Sequence, residues 1–131
     1  MTTLSASDRI IIDSSGWVEY LGNGPKSDRF AVYFDSKAEL FLPSIVVYEV
    51  QKKLLREQDS KLDTAFLSQI HGFGDRLIQL DLELAVVAAE TSLKTGLAMA
   101  DAIIYATAAE CRAQLITSDG HFANLPRVTL I

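Results

Sequence analysis

Apolar residues fall in short blocks whose period alternates between strand-like runs and helical stripes. Arg9-Ile10-Ile11-Ile12-Asp13 is a compact β-branched run, the composition of a central strand buried on both faces. Ser14 and Ser15 then offer hydroxyl caps for a helix through Trp17 to Leu21, which Gly22-Asn23-Gly24-Pro25 stops. A second helix is expected from Asp28 to about Lys37, carrying Phe30, Val32, Tyr33 and Phe34, followed by a strand Leu40-Phe41-Leu42 that Pro43 closes. Ser44 stands where a cap would begin the next helix. On it Val46, Val47, Val50 and Leu54 make an apolar stripe, while Glu49, Lys52, Lys53 and Arg56 share another face.

The pattern continues with a helix from Lys61 to Ile70, the glycines Gly72 and Gly74, and a third strand over Arg76–Leu80. From Leu82 to Thr95 the residues Leu84, Val87, Ala88 and Thr91 face inward, and Glu83, Val86, Glu90 and Lys94 face largely outward until Gly96 stops the helix. Ala100–Arg112 has almost no polar face and is expected to be buried. Gln114–Thr117 and Val128–Ile131 supply two last strands, separated by Ser118-Asp119-Gly120 and the loop to Pro126. Strands interleaved with helices predict an α/β fold, a central mostly parallel sheet of four to five short strands flanked by helices. In such sheets ligands bind beyond the carboxyl ends of the strands, where strand order reverses.

At 131 residues and 49% apolar content the chain suits one domain over 1–131, with 1–8 as a short polar tail. One cysteine, Cys111, cannot form an internal disulfide, and no charged segment followed by an apolar one precedes Ile10. A cytoplasmic location is therefore expected. A net charge of −5 argues against a nucleic-acid binder that uses a broad basic surface, and leaves room for a small basic patch or a basic protein partner.

Four acids carry the candidate chemistry. Asp13 and Asp119 follow strands, whereas Glu49 and Asp101 sit in helices able to lean over the same edge. Each has an ordinary alternative: a helix cap for Asp13, a surface pair with Lys52 or Lys53 for Glu49, the helix dipole for Asp101, and an Asp-Gly turn for Asp119. Together they make a carboxylate cage. Two ionised carboxylates about 4 Å apart repel by roughly 4 kcal/mol at an effective dielectric near 20, a cost that Mg²⁺ or Mn²⁺ would remove. Thr117 and Ser118 can add a hydroxyl. His121 and His71 are expected to be surface or loop residues, since neither has a second histidine or cysteine beside it, and Cys111 reads as a small core residue. No Gly-Lys-Ser/Thr phosphate loop is present.

The chain resembles the PIN domain, and within it the VapC-type toxins of toxin-antitoxin pairs. The resemblance lies in Ile11-Ile12-Asp13-Ser14-Ser15, Pro43-Ser44-Ile45-Val46-Val47-Tyr48-Glu49-Val50, Ala100-Asp101-Ala102-Ile103-Ile104-Tyr105-Ala106-Thr107-Ala108, and Leu115-Ile116-Thr117-Ser118-Asp119 with His121-Phe122. It implies a metal-dependent endoribonuclease whose acidic quartet is Asp13, Glu49, Asp101 and Asp119, with Thr117 as an accessory hydroxyl and 5′-phosphate and 3′-hydroxyl products. Asp13 and Asp101 are expected to ligate the cation directly, with Glu49 and Asp119 acting partly through water. Lys52, Lys53 and Arg56 are candidates for RNA phosphates. The resemblance further implies a cognate antitoxin and a homodimer, with Phe30–Phe34 and Leu62–Ile70 as candidate partner surfaces and ordinary core as their alternative. A catalytically silent PIN-like module that binds RNA or protein is the competing function. A haloacid-type phosphatase would need an acid where Ser15 stands.

Overall fold

The computed structural model describes residues 3–131. One five-stranded sheet runs in the order β3-β2-β1-β4-β5, formed by β1 (Arg9–Ile12), β2 (Glu39–Pro43), β3 (Leu77–Ile78), β4 (Gln114–Thr117) and β5 (Val128–Leu130). Every neighbouring pair is parallel. The helices are α1 (Ser14–Leu21), α2 (Ser27–Phe34), α3 (Ser44–Arg56), α4 (Ser60–Ile70), α5 (Leu82–Thr95) and α6 (Met99–Cys111). The chain moves outward from β1 to β2 and β3, then returns to lay β4 and β5 on the other side of β1. The switch point is therefore the crevice beyond Ile12 and Thr117.

Burial explains the centre. Ile10, Ile11 and Ile12 are wholly buried between β2 and β4, with Ile11 in register with Phe41 and Leu115. Trp17 of α1 is packed edge-on by Phe34 at 4.8 Å and Phe66 at 5.4 Å, which ties α1, α2 and α4 into one core. Ala102–Ala108 of α6 are buried, as its missing polar face predicts, and Leu84 and Ala88 of α5 pack on Ile103 and Ala106. No helix among the described residues is long and apolar enough to cross a membrane.

Several boundaries differ from expectation for local reasons. Asp13, not Ser14 or Ser15, caps α1, because it keeps extended backbone after β1 and accepts from Gly16 N–H. Pro43 holds the cap position of α3 without a side-chain bond, and the Ser44 hydroxyl instead accepts from Leu80 N–H at 3.2 Å. Helix α2 ends at Phe34, where the Ser36 hydroxyl donates to Tyr33 C=O. Only Leu77–Ile78 pair as a strand: Gly74–Arg76 form a 3-10 turn, and the Arg76 guanidinium donates to Leu40 C=O at 3.1 Å. Met1 and Thr2 of the expected polar tail lie outside the described residues, and Leu4 packs against the core. In the two stretches expected as partner surfaces, Phe30 and Phe66 are fully buried, and Val32 and Leu67 are exposed large hydrophobic residues.

Candidate metal centre

The strand ends build the floor of the site. Asp13 follows β1 directly, and its N–H continues the ladder to Ile116 C=O at 3.1 Å. Its carboxylate is nearly buried, at 3% exposure. Oδ1 accepts from Ser15 Oγ at 2.7 Å and Gly16 N at 3.2 Å, and Oδ2 accepts from Thr117 Oγ1 at 2.7 Å. A carboxylate has about four lone-pair positions, so one on Oδ2 remains for a further partner. Capping α1 therefore leaves Asp13 an acceptor position for another partner. Thr117, the last residue of β4 and wholly buried, donates to Asp13 and accepts from Asp119 N–H at 2.9 Å. Its hydroxyl positions both acids from between the two central strands.

Asp119 then caps the 3-10 turn Gly120–Phe122 by accepting from His121 N–H at 2.9 Å. Phe122 is buried and anchors this turn, which leaves His121 on the outside. Its Nδ1 lies 3.3 Å from Asp119 Oδ1 and 3.5 Å from Asp101 Oδ2. Asp101 occupies the first turn of α6, where the following residues are buried. Asp101, Asp119 and His121 each present a ligand atom within 4.8 Å of the others. His121 is exposed, as expected, yet it faces the acids; a lone histidine two residues beyond Asp119 carries no signal until the turn is known.

Asp13 and Glu49 stand outside that compact trio but share its field. Burial raises the Asp13 carboxyl above its ordinary range, Asp119 adds to this, and the bonds from Ser15, Thr117 and Gly16 oppose it. Glu49 is raised by burial and then by Asp101, Asp13 and Asp119, against the Ser14 hydroxyl. Asp101 is raised by burial and Asp119, against His121. Glu49 Oε1 is buried with no hydrogen-bond partner. A buried carboxylate oxygen without a donor, in a cluster whose charges repel, matches the demand of a hard divalent cation for oxygen ligands. The residues fit Mg²⁺ or Mn²⁺, and one imidazole is compatible with Mn²⁺.

An open groove of about 310 Å³ runs alongside, lined by Ser14, Ser15, Glu49, Lys53 and Ser118 among others. Of the three bases that share the helical face with Glu49, Lys53 reaches this groove and pairs with Glu57 at 3.1 Å, not with Glu49. Lys52 lies over the Tyr48 ring at 5.8 Å, and Arg56 is exposed near the end of α3.

Solved structures with the same fold include a toxin-antitoxin complex from Klebsiella pneumoniae, with 20% identity, TM-score 0.71 and coverage of 92% of this chain and 95% of that one. VapBC2 from Rickettsia felis bound to a promoter DNA fragment is similar at 21% identity and TM-score 0.64, covering 94% and 97%. FitAcB from Neisseria gonorrhoeae shares 22% identity and TM-score 0.65, covering 86% and 88%. No curated protein matches by sequence. The PIN domain profile matches residues 10–128, nearly the whole of the fold just described, and the chain belongs to the PIN domain family.

Proposed function

We propose that this chain is a metal-dependent endoribonuclease that hydrolyses RNA phosphodiester bonds as the toxin of a VapBC-type pair. PIN domains are generally nucleases. The observation that carries the reading is the convergence of Asp13, Glu49, Asp101 and Asp119 at the sheet switch point, with burial and mutual repulsion raising three of them. A bound divalent cation supplies an acidified water and neutralises charge that develops on the phosphate. Asp13, Glu49, Asp101 and Asp119 are the residues that would hold it. Thr117 keeps Asp13 and Asp119 oriented, and His121 closes the exposed side of the cluster. Lys53, beside Glu49 in the groove, is placed to hold a flanking phosphate, with Lys52 and Arg56 farther out.

The partner assignment is an antitoxin protein. It is supported by the similar fold of a chain from a toxin-antitoxin complex and by the net charge of −5, which favours a basic partner over broad nucleic-acid binding.

The test is cleavage of a structured RNA pool by antitoxin-free protein in Mg²⁺, Mn²⁺ or EDTA, beside Asp101→Asn and Glu49→Gln. Cuts that need metal and vanish in both variants are expected. Asp101→Asn should also leave metal-free stability unchanged or higher, because it removes one repelling charge. Cleavage that persists in Asp101→Asn would overturn the assignment.

A further inference from the structure

Three of the six arginines gather at the amino edge of the sheet, the pole opposite the acids. Arg9 opens β1, Arg112 caps the carboxyl end of α6, and Arg127 stands immediately before β5. Together they wall a pocket of about 460 Å³ that Ser7, Asp8 and Gln114 also line. Arg9 has partners of its own: Nη1 donates to Cys111 C=O at 3.0 Å, and Nε faces Glu39 at 3.6 Å. Arg112 and Arg127 pair with no acid among the described residues, in a chain where acids outnumber bases 17 to 12. Both also hold left-handed backbone, with φ of 53° and 60°, a conformation that glycine adopts without the Cβ clash an arginine bears. Local backbone preference thus argues against arginine at both positions.

We propose that this pocket binds a small phosphate-bearing ligand. Its wall carries three guanidiniums against one carboxylate, Asp8, whose Oδ2 accepts from Ser5 N–H at 2.7 Å. A phosphate group presents three acceptor oxygens and up to two negative charges, which suits guanidinium forks that enter from three separate elements. Arg127 is positioned in advance. Its guanidinium lies 6.0 Å from the centroid of the Tyr105 ring, the Tyr105 hydroxyl donates to Pro126 C=O at 2.8 Å, and Arg127 C=O accepts from Leu115 N–H at 2.8 Å. The volume falls within the roughly 300–1,000 Å³ of small-molecule sites. A long RNA is a poorer occupant, because the run of β1 from Arg9 to Asp13 sets the pocket about 13 Å from the acids and a net charge of −5 disfavours a strand laid across the surface between them. The site stands apart from the acid cluster and does not depend on what that cluster does.

Proton–nitrogen correlation NMR of the full chain tests the site, at pH 7.5 and fixed ionic strength, in EDTA so that no metal at the acids collects the phosphate. The probes are inorganic phosphate, ribose 5-phosphate and a short single-stranded RNA without terminal phosphates. Saturable shifts of the Ser7–Arg9, Arg112–Gln114 and Arg127 amides are expected with the first two, at a midpoint of about 1 mM. Tighter binding of ribose 5-phosphate would mark a phosphomonoester as the ligand, and tighter binding of inorganic phosphate the free ion; either supports the site. Arg112→Gln and Arg127→Gln should each weaken binding at least tenfold, whereas Lys61→Gln, which removes one exposed charge from α4, should leave it unchanged. Arg112→Gly should weaken binding equally yet melt no lower than wild type, since glycine suits the backbone there. No saturation by about 50 mM of either phosphate, equal weakening in Lys61→Gln, or saturation of these amides by the RNA alone would overturn the proposal.

Discussion

Replacing Thr117 with valine separates positioning from metal ligation at the centre of the site. Thr117 is wholly buried, and its hydroxyl donates to Asp13 Oδ2 at 2.7 Å while accepting from Asp119 N at 2.9 Å. Valine keeps the shape and removes both bonds. Loss of the bond to a charged carboxylate costs about 1.5–3 kcal/mol, and leaving the partly buried Asp119 amide without its acceptor adds about 1 kcal/mol. The expected loss is about 2.5–4 kcal/mol, a large share of the roughly 5–15 kcal/mol that holds a domain together. Thr117→Ser keeps both bonds and forfeits one buried methyl, about 1 kcal/mol. Urea unfolding at pH 7.5 without divalent metal measures the three proteins side by side. A valine variant within about 0.5 kcal/mol of wild type, or a serine variant less stable than the valine variant, would refute the positioning role. Were the hydroxyl chiefly a ligand, the metal-free protein would be indifferent to its loss.

The raised carboxyls give the folded state tighter proton binding than the unfolded chain, so their contribution to stability falls as pH rises from the ordinary range near 4 through the folded values. The Tm advantage of Asp101→Asn over wild type should therefore widen as pH rises from about 4 to 7.5 and shrink when Mg²⁺ is added; a gap independent of pH would contradict this. Gly16→Ala should destabilise by about 1–3 kcal/mol in thermal melts, because an added Cβ would clash with Ile12 and lie 2.6 Å from Phe30 Cε1. Wild-type stability in that variant would show that α1 can shift away from β1 freely. His121→Ala should weaken Mn²⁺ binding by about tenfold if the imbalance of charge at Asp101 and Asp119 is met partly by the imidazole. Titration that finds unchanged affinity would place His121 outside the ligand shell.

The sheet was legible because its centre is written in composition. Ile10-Ile11-Ile12 has no polar face, and neither does Ala102–Ala108, so each had to be buried on all sides. Ends of elements were harder, because several residues competed for one role. Asp13, Ser14 and Ser15 can all cap a helix, and the extended backbone after β1 decides for Asp13. Ser44 lost the cap of α3 to Pro43 and found a donor on Leu80, 36 residues away, a pairing that local pattern does not encode. The acids could be picked out because two follow strands and one opens an apolar helix. Their mutual distances, and the approach of His121, depend on a three-residue turn anchored by Phe122. The face of α5 looked half polar from Glu83 and Glu90, and the exposed Leu82–Leu93 stripe became evident once Leu84 and Ala88 were seen against α6.

The most direct test of the account is Mn²⁺ binding at pH 7.5, followed by loss of the free-ion electron paramagnetic resonance signal in wild type, Asp101→Asn and Glu49→Gln. Saturable binding by wild type, weakened at least tenfold in each variant, is the predicted result. Equal binding by all three proteins, or no saturable binding by wild type, would contradict a cation site built from these acids.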